Sequence, residues 1–356
     1  MLKQHIVVIG GYGYVGGHIC RMLGEKYPGL VYAAGRNLDR AQRLCRETGG
    51  KVKPMRFNRD AADDWAWLEQ TKLVIVCIDQ EDTDLAEACL ANGTDYIDIS
   101  ANGPFLARIE RLNAGACRGT GVLSVGLAPG LTNLLAQEAK KAFDETNRID
   151  ITIMLGLGDS HGKAAIEWTV DQLHSVFDIT DRGRVKKVGS FTGGRPADLG
   201  CMGRRMAYRF PFSDQMTLPN TLGVPSIATR LCFDSRVATF VIAGLKKSGA
   251  ARLLKHAVIR SAAVKSLGSL QIGSAKYAVK VDAAEVKDGR SREIGLSLHG
   301  ERESLITAKV AAAAAHALYN GSFPQGVFHI EQLFELEREG ESLFLKIKER
   351  DERFVI

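Results

Sequence analysis

Gly11, Gly13 and Gly16 stand at the spacing G-x-G-x-x-G, in Gly11-Tyr12-Gly13-Tyr14-Val15-Gly16, directly after the apolar run His5–Ile9. Chemistry that uses bare backbone suits this spacing. The first glycine permits a tight turn, the second clears a phosphate's path, and the third lets the next helix pack closely on its strand. A pyrophosphate then meets the free N–H groups of a helix start, where the helix dipole favours an anion.

Arg36 follows Gly16 by 20 residues, in Gly35-Arg36-Asn37, with Arg40 one helical turn further on. An NAD site places a carboxylate there to hold the adenosine ribose. Two guanidiniums would instead pair with a 2′-phosphate that a carboxylate would repel. The expected cofactor is therefore NADP, with NADPH preferred over NADH and contacts from Gly11 to Gly16, Arg36, Asn37 and Arg40. A solvated helix start is the plain alternative.

Polar residues cluster again at expected strand ends. Asp79, Ser100, Ala101 and Asn102 lie just past the fourth and fifth strands, the edge where a doubly wound sheet binds ligands. This places Asp79, Ser100 and Ala101 with the nicotinamide ribose and Asn102 with substrate. Asp98, inside the strand pattern, is a candidate catalytic group that orients its neighbours from below, or else a structural acceptor. Pro129, Gly130, Thr132 and Asn133 form a second loop feeding a helix, suited to a substrate carboxylate or the nicotinamide amide. His161 and His174 are candidates for proton exchange, histidine being the side chain that ordinarily titrates near neutral pH. Ile166, Val170, Leu173 and Phe177 read as the apolar stripe of the helix that carries His174, with Glu167 and Asp171 on its neighbouring face. Trp168 would wall the substrate, though core packing explains it as well. Arg230, in a strand-like run, is preferred over Arg195, Arg204 and Arg205 for a substrate carboxylate.

Other chemistries lack their residues. None of the eight tyrosines has Lys at +4, which removes the Y-x-x-x-K proton relay of sugar-nucleotide epimerases. No cysteine has an evident activating neighbour for nucleophilic work. The seven cysteines form no C-x-x-C pair, so neither a metal nor a disulfide framework is expected, and a reducing, cytoplasmic setting fits.

The elements that must position these residues alternate strand and helix through the first 130 positions. Strands are expected at 5–10, 31–35, 52–57, 72–78, 95–99 and 122–127, with helices at 14–25, 38–48, 62–69, 83–92 and 105–118. This rhythm gives an α/β class, a Rossmann-type doubly wound parallel sheet. After Pro129-Gly130 it changes. A helix at 131–144 and alternating runs at 276–286 and 293–300 indicate a second, α+β domain with a mixed or antiparallel sheet. The expected domains are 1–130, 131–301 and a C-terminal segment 302–356, whose helix at 303–321 returns to the first domain.

The net charge of +6 is mild and its basic residues are scattered, which argues against a nucleic-acid partner. No apolar run approaches the ~20 residues of a membrane span, and the first strand begins too early for a signal peptide.

Two segments narrow the class. "GTDYIDISANG" (93–103) and "GVLSVGLAPGLTNLLAQEA" (121–139), with the glycine loop, "AAGRN" and the distal "GSFPQGVFHIEQLF" (321–334), resemble the saccharopine dehydrogenase-like family. The likeness covers about 1–140 and 300–335 and weakens through the second domain. It implies hydride transfer between a nicotinamide and the C–N bond of an amino-acid conjugate, in a dimeric enzyme of amino-acid metabolism. The alternatives are a non-catalytic NADP(H)-binding regulator and a reductase of another small carbonyl compound.

Overall fold

The computed structural model describes residues 3–58, 65–115, 117–159, 163–269 and 273–356. The chain opens as β1 (His5–Ile9), α1 (Tyr14–Lys26), β2 (Val31–Gly35), α2 (Leu38–Glu47), β3 (Val52–Arg56), β4 (Thr71–Val76), α3 (Asp84–Ala91), β5 (Asp95–Asp98), α4 (Gly103–Glu110) and β6 (Thr120–Leu123). It continues through α5 (Thr132–Lys140), β7 (Arg148–Leu155), α6 (Lys163–Gln172), β8 (Val176–Asp181), β9 (Arg184–Gly189), β10 (Arg195–Asp198), β11 (Arg204–Arg209), α7 (Asp214–Leu222), β12 (Ile227–Phe233), α8 (Arg236–Lys247) and α9 (Ala257–Ser269). The hairpin β13 (Lys276–Lys287) and β14 (Arg290–Glu301) leads to α10 (Glu303–Asn320), β15 (Gly326–His329), α11 (Ile330–Leu333), β16 (Phe334–Glu339), β17 (Ser342–Ile347) and β18 (Arg353–Val355).

Two compact units result: Met1–Leu131 with Ser304–Ile356, and Thr132–Glu303. The first carries a seven-stranded sheet ordered β15-β6-β5-β4-β1-β2-β3, parallel throughout. Its order reverses at β1, the switch point where such sheets bind ligands. Ile6–Ile9 and Leu73–Val76 are fully or almost fully buried, as central strands covered on both faces must be. The returning α10 belongs to this unit and buries Ala308 and Ala311 to Ala315. Lys72 Nζ donates to the Tyr319 carbonyl and Tyr319 Oη to that of Gln4, fixing its end. β15 adds an edge strand to β6, and Ser124 Oγ meets His329 Nδ1 at 2.8 Å while His329 Nε2 meets Glu110 at 2.7 Å.

The second unit carries a six-stranded mixed sheet ordered β10-β11-β12-β7-β13-β14, with β12 and β7 parallel and the other pairs antiparallel. The alternating runs at 276–286 and 293–300 are the long hairpin β13–β14.

Three local expectations are corrected. Of the helix expected at 62–69, the described part is a 3₁₀ turn over Ala66–Gln70. The helix expected at 105–118 ends at Glu110 and continues as a 3₁₀ turn over Arg111–Ala114. The stripe ending at Phe177 is no single helix: α6 stops at Gln172, and Phe177 lies in β8 opposite Val188. Val176, Ile179 and Thr180 are β-branched, and pairing with β9 overrides the helical period.

Candidate functional site

The glycine loop joins β1 to α1 and has no room for side chains. A Cβ on Gly11 would lie 2.6 Å from the Val8 carbonyl oxygen and 2.8 Å from Ala33 Cα, and one on Gly16 would collide with the Gly10 carbonyl. Gly10, which the spacing does not single out, has φ +77° and accepts the Gly13 N–H at 2.8 Å, so it closes the turn. Gly13 caps α1 without any side-chain bond, and no acidic residue occupies the first turn. The N–H groups there are left for an anion. Gly13 and Tyr14 are exposed; Tyr12 and Val15 are half-buried.

Tyr12 ties this loop to the end of β2. Its hydroxyl oxygen accepts the Asn37 N–H at 2.8 Å, and its ring covers Gly35, where a Cβ would stand 2.5 Å from the hydroxyl. Arg40 lies over the same ring, 5.0 Å from its centroid. Asn37 caps α2, its Oδ1 accepting the Arg40 N–H. Arg36 and Arg40 are exposed, and neither forms an ion pair among the described residues. A cradle too tight for a Cβ, followed by two uncompensated guanidiniums, fits a dinucleotide with a 2′-phosphate.

Behind the strand ends lies a buried polar hub. Asp98 is completely buried; its Oδ2 accepts Tyr96 Oη at 2.6 Å and Gln80 Nε2 at 2.8 Å, and its Oδ1 accepts the Ser100 N–H at 2.7 Å. Burial pushes its carboxyl up to about 6, against the pull of the Tyr96 and Ser100 donors. Its geometry is that of a positioning group, joining the loops after β4 and β5, rather than one that touches a reacting atom. Asp79 is exposed and Ser100 and Ala101 are half-buried along the same two loops. Asn102 caps α4, with Oδ1 accepting the Phe105 N–H at 3.2 Å, so its side chain has a structural duty.

The loop before α5 has non-helical backbone at Ala128, Pro129 and Gly130, with a cis Ala128–Pro129 bond and Gly130 at φ +136°. Pro129, Gly130, Thr132 and Asn133 are all buried, and Thr132 Oγ1 donates to Asn133 Oδ1 at 3.3 Å.

The other second-unit candidates divide. His161 lies outside the described residues. His174 sits in the turn after α6, and its Nδ1 is buried without a hydrogen-bond partner among the described residues. Asp171, on the expected cleft face, is held by a two-pronged bond from Arg260 at 2.6 and 2.7 Å. Trp168 packs edge-on against Phe210 and tilted against Phe212, with ring centroids 5.5 Å apart in both pairs. Arg230 is buried, donating to Asp150 at 2.6 Å and to the Gly193 carbonyl, so the guanidinium expected to meet a substrate carboxylate already holds one. Sequence reading missed Gly10, the Gln80 and Tyr96 partners of Asp98, and Asp150. Of these only Gly10 left a local trace, as one more glycine in the loop.

Among the described residues no group of three or more His, Cys, Asp or Glu side chains is placed to hold a metal, and no helix is long and apolar enough to cross a membrane.

Known proteins match this arrangement. Residues 6–145 match the family described as the saccharopine dehydrogenase NADP binding domain. A curated relative, carboxyaminopropylagmatine dehydrogenase of Synechocystis sp., is 29% identical over 203 residues, 53% of this chain and 50% of that protein. The match thus spans about half the relative's length. Among solved structures, apo saccharopine dehydrogenase (L-Glu forming) from Saccharomyces cerevisiae superposes with a TM-score of 0.62 at 16% identity, over 92% of this chain and 94% of that one, a likeness of fold. Residues 6–145 are thus similar to the saccharopine dehydrogenase NADP binding domain, and the chain shares its fold with the yeast enzyme.

Proposed function

We propose that the chain is an NADP(H)-dependent oxidoreductase acting on the C–N bond, imine or secondary amine, of an amino-acid conjugate. The observation that carries the reading is the glycine cradle followed by uncompensated Arg36 and Arg40, within a family NADP-binding domain. A 2′-phosphate would satisfy both guanidiniums, which supports NADPH over NADH. The C–N assignment draws on the family and on the Synechocystis relative, whose name places a carboxyaminopropyl group on the amine agmatine.

The chemistry that NADPH would supply when bound is a hydride for the imine carbon, with a proton delivered to the imine nitrogen. The chain's residues do the rest. Bare backbone at Gly11, Gly13 and Gly16 would hold the pyrophosphate, and Arg36 with Arg40 would hold the 2′-phosphate. Asp79, Ser100 and Ala101 border the nicotinamide ribose, on loops that Asp98 fixes from beneath. Pro129, Gly130, Thr132 and Asn133 shape the approach for a substrate carboxylate, and His161 or His174 exchanges the proton. The reading extends to a cytoplasmic homodimer, on the strength of the sequence and family.

The test offers the purified chain NADPH with a panel of 2-oxo acids and semialdehydes, each paired with an amino acid or polyamine. The expected outcome is consumption of NADPH that requires both partners. Tight NADPH binding with silence across the panel would replace the enzyme by a non-catalytic NADP(H)-binding regulator.

A further inference from the structure

A cavity of about 200 Å³ in the second unit has Arg148, Arg195, Arg209 and Arg230 in its wall, together with Asp150 and Asp181. Strand register explains the gathering. Arg209 stands opposite Arg230 across β11 and β12, Ala228 stands opposite Asp150 across β12 and β7, and Arg195 stands opposite Ala207. Because side chains alternate, Asp150, Arg230, Arg209 and Arg195 all leave the sheet on one face. The cavity sits at the start of β7 and β12, at the opposite end of β7 from Gly156–Asp159, which leads towards α6.

The charges do not balance. Asp150, whose side chain is 6% exposed, meets Arg230 at 2.6 Å, Arg148 at 2.9 Å, and Arg195 as well. One carboxylate thus answers three guanidiniums. Arg148 also reaches the exposed Glu293 at 2.8 Å. Arg209 is left over: it forms no ion pair, and its Nη1 is buried with no hydrogen-bond partner among the described residues. Burial, then the neighbouring Arg230, hold its pKa below the usual arginine value, while Asp150 and Asp181 oppose them. Four guanidiniums against Asp150, Asp181 and Glu293 leave a surplus of one positive charge on this wall. Natural proteins pair buried polar groups, and a guanidinium's planar fork matches the two oxygens of a carboxylate or phosphate.

We propose that this cavity is a second, anion-binding site, which takes a small carboxylate or phosphate group between Arg209 and Arg195. Its volume, below the ~300 Å³ at which drug-sized pockets begin, suits one such group or a short dicarboxylate. The proposal does not depend on the hydride chemistry above, and a chain inactive on every imine would still carry the site.

Thermal unfolding of the full chain, titrated separately with glutarate and inorganic phosphate at matched ionic strength, tests it. A saturable rise in melting temperature is expected for at least one probe. A response to glutarate alone marks a carboxylate site, to phosphate alone a phosphate site, and to both a general oxyanion site. Arg209→Met should weaken that response at least about tenfold, the worth of one charge-assisted hydrogen bond. It should also leave the anion-free melting temperature unchanged or raised, because it removes a half-buried cation whose Nη1 has no hydrogen-bond partner among the described residues. A guanidinium with only a structural role would behave oppositely, lowering the anion-free melting temperature and leaving the titration intact. That result, or no saturable response to either probe, overturns the proposal. If Arg209→Met does not fold, Arg195→Gln, at a side chain 39% exposed, gives the same titration, with the same tenfold weakening expected and an unchanged response overturning.

Discussion

The two units surround positive charge in opposite ways. In the first, the glycine loop offers backbone N–H groups, and two exposed guanidiniums stand beside it, Arg40 over the Tyr12 ring. In the second, guanidiniums drawn from several strands crowd one buried carboxylate. The first arrangement costs the fold little, because water solvates Arg36 and Arg40 wherever the chain is. The second is part of the fold's integrity, since each buried charge depends on the others. The buried aspartates repeat the contrast: Asp98 is surrounded by neutral donors, Asp150 by cations.

Replacing these two aspartates should therefore separate the regions most strongly. Asp150→Asn leaves three guanidiniums facing one another and is expected to cost about 3–5 kcal/mol in urea unfolding near neutral pH. Asp98→Asn should cost less there, because at neutral pH the native carboxylate is already ionised against its burial. The sign follows from a folded pKa of about 6, above the ~3.9 of an unfolded aspartate. Protonation favours the folded state, so this contribution is fully present below about pH 4 and is lost as pH rises through about 6. It amounts to about 3 kcal/mol. Unfolding curves at several pH values should show this decline in the native chain and a flatter profile in Asp98→Asn. Equal costs at neutral pH, or identical pH profiles, would erase the distinction between the two carboxylates.

The same contrast explains which features the sequence made legible. The glycine loop, Arg36 and the parallel sheet depend on neighbours within a few tens of residues, so spacing and periodicity expose them. Asp150 and its arginines come from β7, β10, β11 and β12, and only strand register brings them together. Arg230 looked like a ligand for a substrate carboxylate, and the preference for an acid was sound, but the acid is the chain's own Asp150. The Ile166–Phe177 stripe misled for a different reason. Over four apolar positions a helical period also suits a helix end followed by a strand, and the distant partner β9 decides. Asp98 gave no trace of its three donors, since Gln80 reaches it from another strand's loop.

Arg36→Glu should have the next largest effect, and it should be confined to the cofactor. The ratio of NADPH to NADH affinity is expected to fall by about tenfold to a hundredfold, since a charge-assisted bond becomes a repulsion. Fluorescence titration with both cofactors measures it. The melting temperature should stay where it is, because an exposed guanidinium without an ion pair supports nothing in the fold. An unchanged cofactor ratio would rule Arg36 out as the phosphate reader. A large loss of stability would show that the first unit's arginines, like those of the second, are structural.

Tyr12→Phe probes the tie between loop and reader and should have the smallest effect. It removes the acceptor of the exposed Asn37 N–H, which water can replace, at a cost of about 0.5–1 kcal/mol. The ring that covers Gly35 and lies under Arg40 remains, and with it a cation–π contact worth about 0.5–1 kcal/mol at an exposed site. NADPH affinity should therefore fall by about two- to fivefold in Tyr12→Phe. Tyr12→Ala should lose more, because the platform for Arg40 goes with the ring. Equal losses in the two variants would mean that the hydroxyl alone sets the end of β2, and that Arg40 reaches the phosphate without the ring beneath it.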